Sequence, residues 1–113
     1  MRLVAVGVSH HTAPVEVRER LAISPGLVPG LLDDLRQDRV GREAVLISTC
    51  NRVELYTVPT EGTGPEDVAR WLVERQGLGS RRIEQHLYRY QQRDALRHLF
   101  RVASSLDSMV VGE

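Results

Sequence analysis

Cys50 is the only cysteine of the chain, and it lies in the run ISTCNRVELY at residues 47–56, where an apolar stretch turns polar. A thiol placed there has two readings. Free cysteine is among the most buried residue types and packs as a small hydrophobe. However, Ser48, Thr49, Asn51 and Arg52 are poor company for a core position, and a turn at a sheet edge exposes its tip. A thiol attacks as its thiolate, which a nearby cation stabilises. Arg52 could supply that charge, or its planar fork could grip a substrate carboxylate. Asn51 and the amides of the turn could donate to an oxyanion forming on an attacked carbonyl. On these residues alone, packing and nucleophilic attack both stay open.

Four histidines could partner the thiol. His10 and His11 follow the first apolar run and read as a polar turn, which an antiparallel sheet could bring beside the TCNR turn. His86 reads as the solvated face of a strand. His98, on the flank of an amphipathic helix, reads as a structural histidine. One cysteine with scattered histidines offers no recognised ligand spacing, so no metal is expected. The segment GLVPG precedes a helix but lacks the G-x-G-x-x-G pattern, so no dinucleotide loop is expected either.

The elements that must position these residues follow from apolar periodicity. Residues 3–9 are valine-rich and predict a buried first strand. Thr12-Ala13-Pro14 predicts a helix start, with Val17 and Leu21 on one face. Ser24-Pro25 predicts a second start, followed by Leu27, Val28, Leu31, Leu32 and Leu35 at helical spacing. EAVLIS is a continuous apolar run, as a central strand has. VELYTV alternates, with Val53, Leu55 and Thr57 on one side and Glu54, Tyr56 and Val58 on the other. Thr63 and Glu66 have capping-box spacing, and the next helix carries Val68, Ala69, Leu72 and Val73 before Gly77 ends it. IEQHLYRY predicts a fourth strand. Asp94 predicts the cap of a last helix, with Leu96, Leu99, Phe100, Ala103, Leu106 and Val110 as its apolar face. Two split β-α-β units in this order predict an α+β, ferredoxin-like sandwich: a four-stranded antiparallel sheet packed with helices.

At 113 residues the chain has the size of one domain. Fifteen basic and fifteen acidic residues balance to a formal charge of zero, which argues against a broad electrostatic grip on membrane or nucleic acid. No apolar run approaches the roughly 20 residues of a membrane helix. The single cysteine excludes an internal disulfide and suits a cytoplasmic protein. The end, SSLDSMVVGE, stops on apolar residues and reads as a piece of a longer protein.

Three segments together, GVSHHTAPVEVRERLA, LISTCNRVELY and HLFRVASSLDSMVVGE, resemble glutamyl-tRNA reductase, in order and spacing, across essentially the whole chain. The resemblance is to the N-terminal catalytic domain of that family. It implies that residues 1–113 are one such domain, with an NADPH-binding Rossmann domain and a helical dimerisation domain absent. It implies that Cys50 attacks the ester joining glutamate to the tRNA 3′ end, forming a thioester that NADPH then reduces to glutamate-1-semialdehyde, in the first step of tetrapyrrole biosynthesis from glutamate. It further implies substrate contacts at Thr49, Cys50, Asn51, Arg52, Ser108 and Glu113, and it moves His98 from a structural to a catalytic role. A homodimer, and an association with glutamate-1-semialdehyde aminomutase, are implied for the whole protein. The competing readings are a generic cysteine acyl-transfer or esterase domain and a noncatalytic binding module.

Overall fold

A computed structural model describes the backbone of residues 2–79 and 81–112 and the side chains of 2–79 and 81–104. In chain order the elements are β1 (Val4–Ser9), α1 (Val15–Leu21), a 3-10 turn (Pro25–Leu27), α2 (Val28–Gln37), β2 (Gly41–Ser48), β3 (Arg52–Pro59), α3 (Pro65–Arg75), α4 (Arg81–Glu84), β4 (Tyr88–Gln91) and α5 (Gln92–Gly112). The four strands form one antiparallel sheet in the order β2-β3-β1-β4. This is the ferredoxin-like sandwich predicted from the element order.

The two faces of the sheet differ in chemistry because side chains alternate along each strand. Val4, Val6 and Val8 of β1 and Val53 and Leu55 of β3 point to one face. There they pack with Leu21, Leu31, Leu35, Val68, Leu72 and Val73 of α1, α2 and α3. Each such side chain contributes about 1.5–3 kcal/mol on burial, so this face holds most of the fold together. The opposite face is covered by α5. Its apolar part is small: Ala5, Tyr56 and Ala95, joined by Leu3, Ile47, Tyr90 and Leu99.

The register decides what else lies under α5. Gly7 of β1 stands between Glu54 of β3 and Tyr88 of β4, and Ser9 stands opposite Arg52. Cross-strand partners share a face, so a polar row crosses the sheet beneath the helix. Gly7 is what makes room for it. A Cβ there would stand 2.3 Å from the Val53 carbonyl oxygen and 2.9 Å from Cγ of Glu54. Only a residue without a side chain lets the Glu54 chain lie across β1.

Several expectations change. The apolar run EAVLIS is an edge strand, not a central one. Its side chains are apolar on both sides because Ala44 and Leu46 reach the main core and Ile47 reaches the α5 side, while Val45 is 58% exposed. The alternating run VELYTV is instead central, and its residues 53–57 are all buried. The predicted fourth strand is divided: Arg81–Glu84 is a helical turn and only Tyr88–Gln91 pairs with β1. His86 therefore lies in the connection between them, where its N–H donates to the Ile83 carbonyl at 3.0 Å. The cap of α3 falls one residue later than Thr63/Glu66, with the Gly64 N–H donating to Asp67 Oδ2 at 2.9 Å. Pro65 supplies the first turn, where a missing N–H costs nothing.

The last helix turns a different face inward from the one predicted. Ala95 and Val102 are buried and Phe100 is 65% exposed; the side chains of Leu106 and Val110 lie outside the described residues. A small residue at 95 lets the helix approach Tyr56 and Tyr90, and the same rotation carries His98 onto the sheet.

Candidate functional site

The turn between β2 and β3 is built by one side chain. Thr49 Oγ1 accepts the N–H groups of Asn51 and Arg52, both at 3.2 Å, and the Thr49 N–H donates to the Arg52 carbonyl at 2.8 Å. This is the local competition for backbone donors that favours threonine at turns. It leaves Cys50 at the exposed tip, so the packing reading of the thiol does not hold. It narrows the oxyanion expectation, because the amides of residues 51 and 52 donate to Thr49. Two further bonds fix the turn from outside. Arg18 Nη1 donates to the Cys50 carbonyl at 2.9 Å, and the His10 N–H donates to the Asn51 carbonyl at 2.8 Å. The His10-His11 turn thus lies beside the cysteine turn, as the antiparallel arrangement suggested, and both histidines are exposed.

Behind the turn, four side chains converge on one carboxylate. Glu54 is fully buried. Its Oε1 accepts the Tyr56 hydroxyl at 2.8 Å. Its Oε2 accepts the Tyr88 hydroxyl, His98 Nε2 and, at 3.2 Å, Arg52 Nη1. A buried carboxylate costs several kcal/mol unless it is paired and hydrogen-bonded, and here Oε1 is satisfied from β3 and Oε2 from β3, β4 and α5. The bond to Glu54 places the proton of His98 on Nε2. His98 Nδ1 is buried without a hydrogen-bond partner. The imidazole lies against Tyr88 and Tyr90, with ring centroids 5.2 and 4.6 Å away.

Burial, followed by the bond to and the charge of Glu54, holds the Tyr56 and Tyr88 hydroxyls protonated well above the ordinary tyrosine value. The unfolded phenols ionise near the reference value of 10.0. The folded state keeps its protons where the unfolded state loses them, so this contribution is whole below pH 10.0 and is lost as pH rises above it. Alkaline titration followed by circular dichroism, with phenolate absorbance alongside, should show unfolding and tyrosine ionisation as one transition. In Tyr56→Phe/Tyr88→Phe the loss of stability above pH 10.0 should become shallower.

A cleft of about 280 Å³ opens over this hub, lined by Ser9, His11, Thr12, Arg52, Tyr88, Tyr90, His98, Arg101 and Val102. Of the residues singled out in the sequence, Arg52 and His98 meet on Glu54 at its floor. Cys50 stands outside the lining, on the turn two residues before Arg52. Thr49 shapes that turn, and Asn51 belongs to it through its carbonyl. The Ser108 side chain and Glu113 lie outside the described residues. Glu54 and Tyr88 were not singled out by sequence reasoning. Their signal is a juxtaposition: Gly7 interrupts a valine strand, and polar residues occupy one alternating side of VELYTV and of LYRYQ.

Among the described residues, no three His, Cys, Asp or Glu side chains come together as a metal site. Nor does this part of the chain fit a dinucleotide. The sheet is wholly antiparallel, and the β1–α1 connection, HHTAP, contains no glycine to let a pyrophosphate approach the backbone.

The family described as "Glutamyl-tRNAGlu reductase, N-terminal domain" matches residues 6–113. The chain belongs to this family. It is 47% identical over its whole length to a glutamyl-tRNA reductase of Aromatoleum aromaticum and 49% identical to one of Solibacter usitatus, covering 26% and 27% of those proteins. The solved glutamyl-tRNA reductase from Methanopyrus kandleri superposes with a TM-score of 0.66 at 34% identity, over 98% of this chain and 24% of that one. The chain thus spans about a quarter of the glutamyl-tRNA reductases it matches. Within the family domain, the exposed Cys50 and the Glu54 hub sit on one β-hairpin.

Proposed function

We propose that this chain is the substrate-binding and acyl-transfer domain of a glutamyl-tRNA reductase. The observation that carries the reading is the hairpin itself, which holds Cys50 at an exposed, rigidly bonded tip directly before a cleft floored by Arg52 and His98. The Cys50 Sγ attacks the carbonyl carbon of the glutamyl ester and the ester C–O bond breaks. The electron pair leaves on the tRNA 3′ oxygen, which takes up a proton. A glutamyl thioester remains. Arg52, held by Glu54, presents its remaining guanidinium donors to the glutamate side-chain carboxylate. His98, fixed by Glu54, serves as the acid–base or positioning group. Thr49 and Asn51 hold the turn, and Ser108 and Glu113 complete the contacts to the glutamyl group.

Reduction to glutamate-1-semialdehyde is assigned to NADPH bound by parts of the relatives' length that this chain does not span. With it go the place in tetrapyrrole biosynthesis, the cytoplasmic location, the homodimer and the aminomutase partner. No described helix is long and apolar enough to cross a membrane.

The test is quench-flow with tRNA charged with labelled glutamate, followed by acid gels for label on protein. Label should accumulate on this chain, and no semialdehyde should form even with NADPH in excess. His98→Ala should slow labelling by something like 10²- to 10⁴-fold, the range typical of a lost acid–base group. Labelling by simple glutamyl esters as fast as by glutamyl-tRNA would instead favour a generic acyl-transfer domain. Absence of label from either would sink both readings.

A further inference from the structure

The exposed side of α5 carries Arg93, Arg97 and Arg101 at four-residue spacing. All three are exposed. Residues four apart stand on one stripe of a helix, about 6 Å apart along its axis. Like charges so placed destabilise a helix unless something neutralises them. Other arginines pair with acids within the chain: Arg36 with Asp33, Arg52 with Glu54, Arg70 with Asp67, Arg75 with Asp34, and Arg89 with Glu66 and Glu84. Among the described residues Arg93, Arg97 and Arg101 have no acidic partner. Asp94, beside them on α5, makes no ion pair with any of the three. In a chain whose formal charge is zero, this is a local concentration of unspent positive charge.

The stripe also has a direction. Arg101 lines the cleft over the Glu54 hub, together with Arg52 and His98. The same Arg101 lines a second hollow of about 140 Å³ with Arg97, Asp94, Tyr90 and His98. The two hollows therefore share Arg101, Tyr90 and His98, and the row of guanidinium groups runs from solvent to the edge of the candidate site. Tyr90 at the junction, half-buried, offers a ring face on which a base can stack.

We propose that Arg93, Arg97 and Arg101 form a phosphate track that guides the 3′ strand of an aminoacylated RNA into the cleft. This rests on the acyl-transfer reading above and assigns the part of that substrate beyond its glutamyl group. Successive guanidinium forks contact successive phosphates of the strand. Tyr90 receives a terminal base, which sets the ester at the hairpin tip. The track carries affinity and orientation and no sequence information, because its contacts are to the backbone.

The experiment measures binding of an uncharged RNA hairpin, an acceptor-stem duplex with a single-stranded 3′ tail, by fluorescence anisotropy across a salt series. For single strands the slope of log K against log salt is about −0.7 per phosphate neutralised. Replacing all three arginines by glutamine should flatten the slope by about 2. Affinity at low salt should fall by at least about 10-fold, with circular dichroism unchanged. Arg42→Gln, on an exposed arginine at the far end of β2, should leave the slope as it is, and Tyr90→Leu should weaken binding of the tailed hairpin but not of a blunt one. An unchanged slope in the triple variant overturns the track, as does an equal loss in Arg42→Gln or failure of the parent chain to bind the hairpin. Cys50→Ser should bind the hairpin as tightly as the parent. Loss of labelling with an intact track, or the reverse, therefore shows which of the two proposals has failed.

Discussion

Cys50→Ser is expected to abolish the labelled acyl-protein while leaving the fold unchanged. The substitution replaces one atom at an exposed tip. The bonds that shape the turn run through Thr49 Oγ1, the Cys50 carbonyl, the Asn51 carbonyl and backbone amides, and none uses the thiol. A thermal melt should therefore superpose on that of the parent. The chemistry should not survive, because a thiol ionises near neutrality far more readily than a hydroxyl and is intrinsically the stronger nucleophile. A serine here would need a base within hydrogen-bond reach. His98, the acid–base candidate, has its Nε2 committed to Glu54. Labelling above background in Cys50→Ser would remove Cys50 as the nucleophile. A lost label with a lowered melting temperature would instead show that the thiol is structural.

The largest effect on stability is expected from Glu54→Ala. That carboxylate is wholly buried and is the shared acceptor for Arg52, Tyr56, Tyr88 and His98. Its removal leaves a guanidinium, an imidazole and two hydroxyls without their shared acceptor beneath α5. Breaking one side of a buried charged network costs about 3–5 kcal/mol, against a total of about 5–15 kcal/mol for a typical domain. The melting temperature should fall by at least about 10 °C. Tyr88→Phe removes one donor from an oxygen with other partners and should cost only about 1 kcal/mol. Urea denaturation of the two variants checks the ordering. If Glu54→Ala lies within about 1 kcal/mol of the parent, the hub is not what holds α5 on the sheet, and the larger cost assigned to a buried charge does not apply here.

Much of this protein was legible without coordinates. The 3.6-residue apolar period predicted the helices at Val15–Leu21, Val28–Gln37 and Pro65–Arg75, and a continuous apolar run and an alternating one predicted the strands flanking the cysteine turn. Their order was enough to predict the antiparallel sandwich, because a split β-α-β unit has few ways to bury its apolar faces. The polar company of Cys50 already argued against a core position. Family membership was carried by motifs that are contiguous in the chain. Each of these is a local property, decided by neighbours a few residues away.

What the tertiary structure alone decided is which side chains face one another across strands distant in sequence. Glu54 reads as an ordinary polar residue of an alternating strand until the register sets it against Gly7 and, through Gly7, beside Tyr88. His98 reads as the flank of an amphipathic helix until α5 packs on a polar row instead of an apolar one, and rotates Ala95 and His98 inward while Phe100 turns out. Helix periodicity could not reveal that rotation, because it identifies the most apolar stripe and this sheet face asks for a hydrogen-bond donor. The edge position of EAVLIS was hidden for a related reason: two different helical layers each bury part of a strand that pairs on only one side. Sequence specifies the elements through local energetics. The site arises from long-range pairing, where a buried carboxylate stabilises only those packings that bring its partners to it.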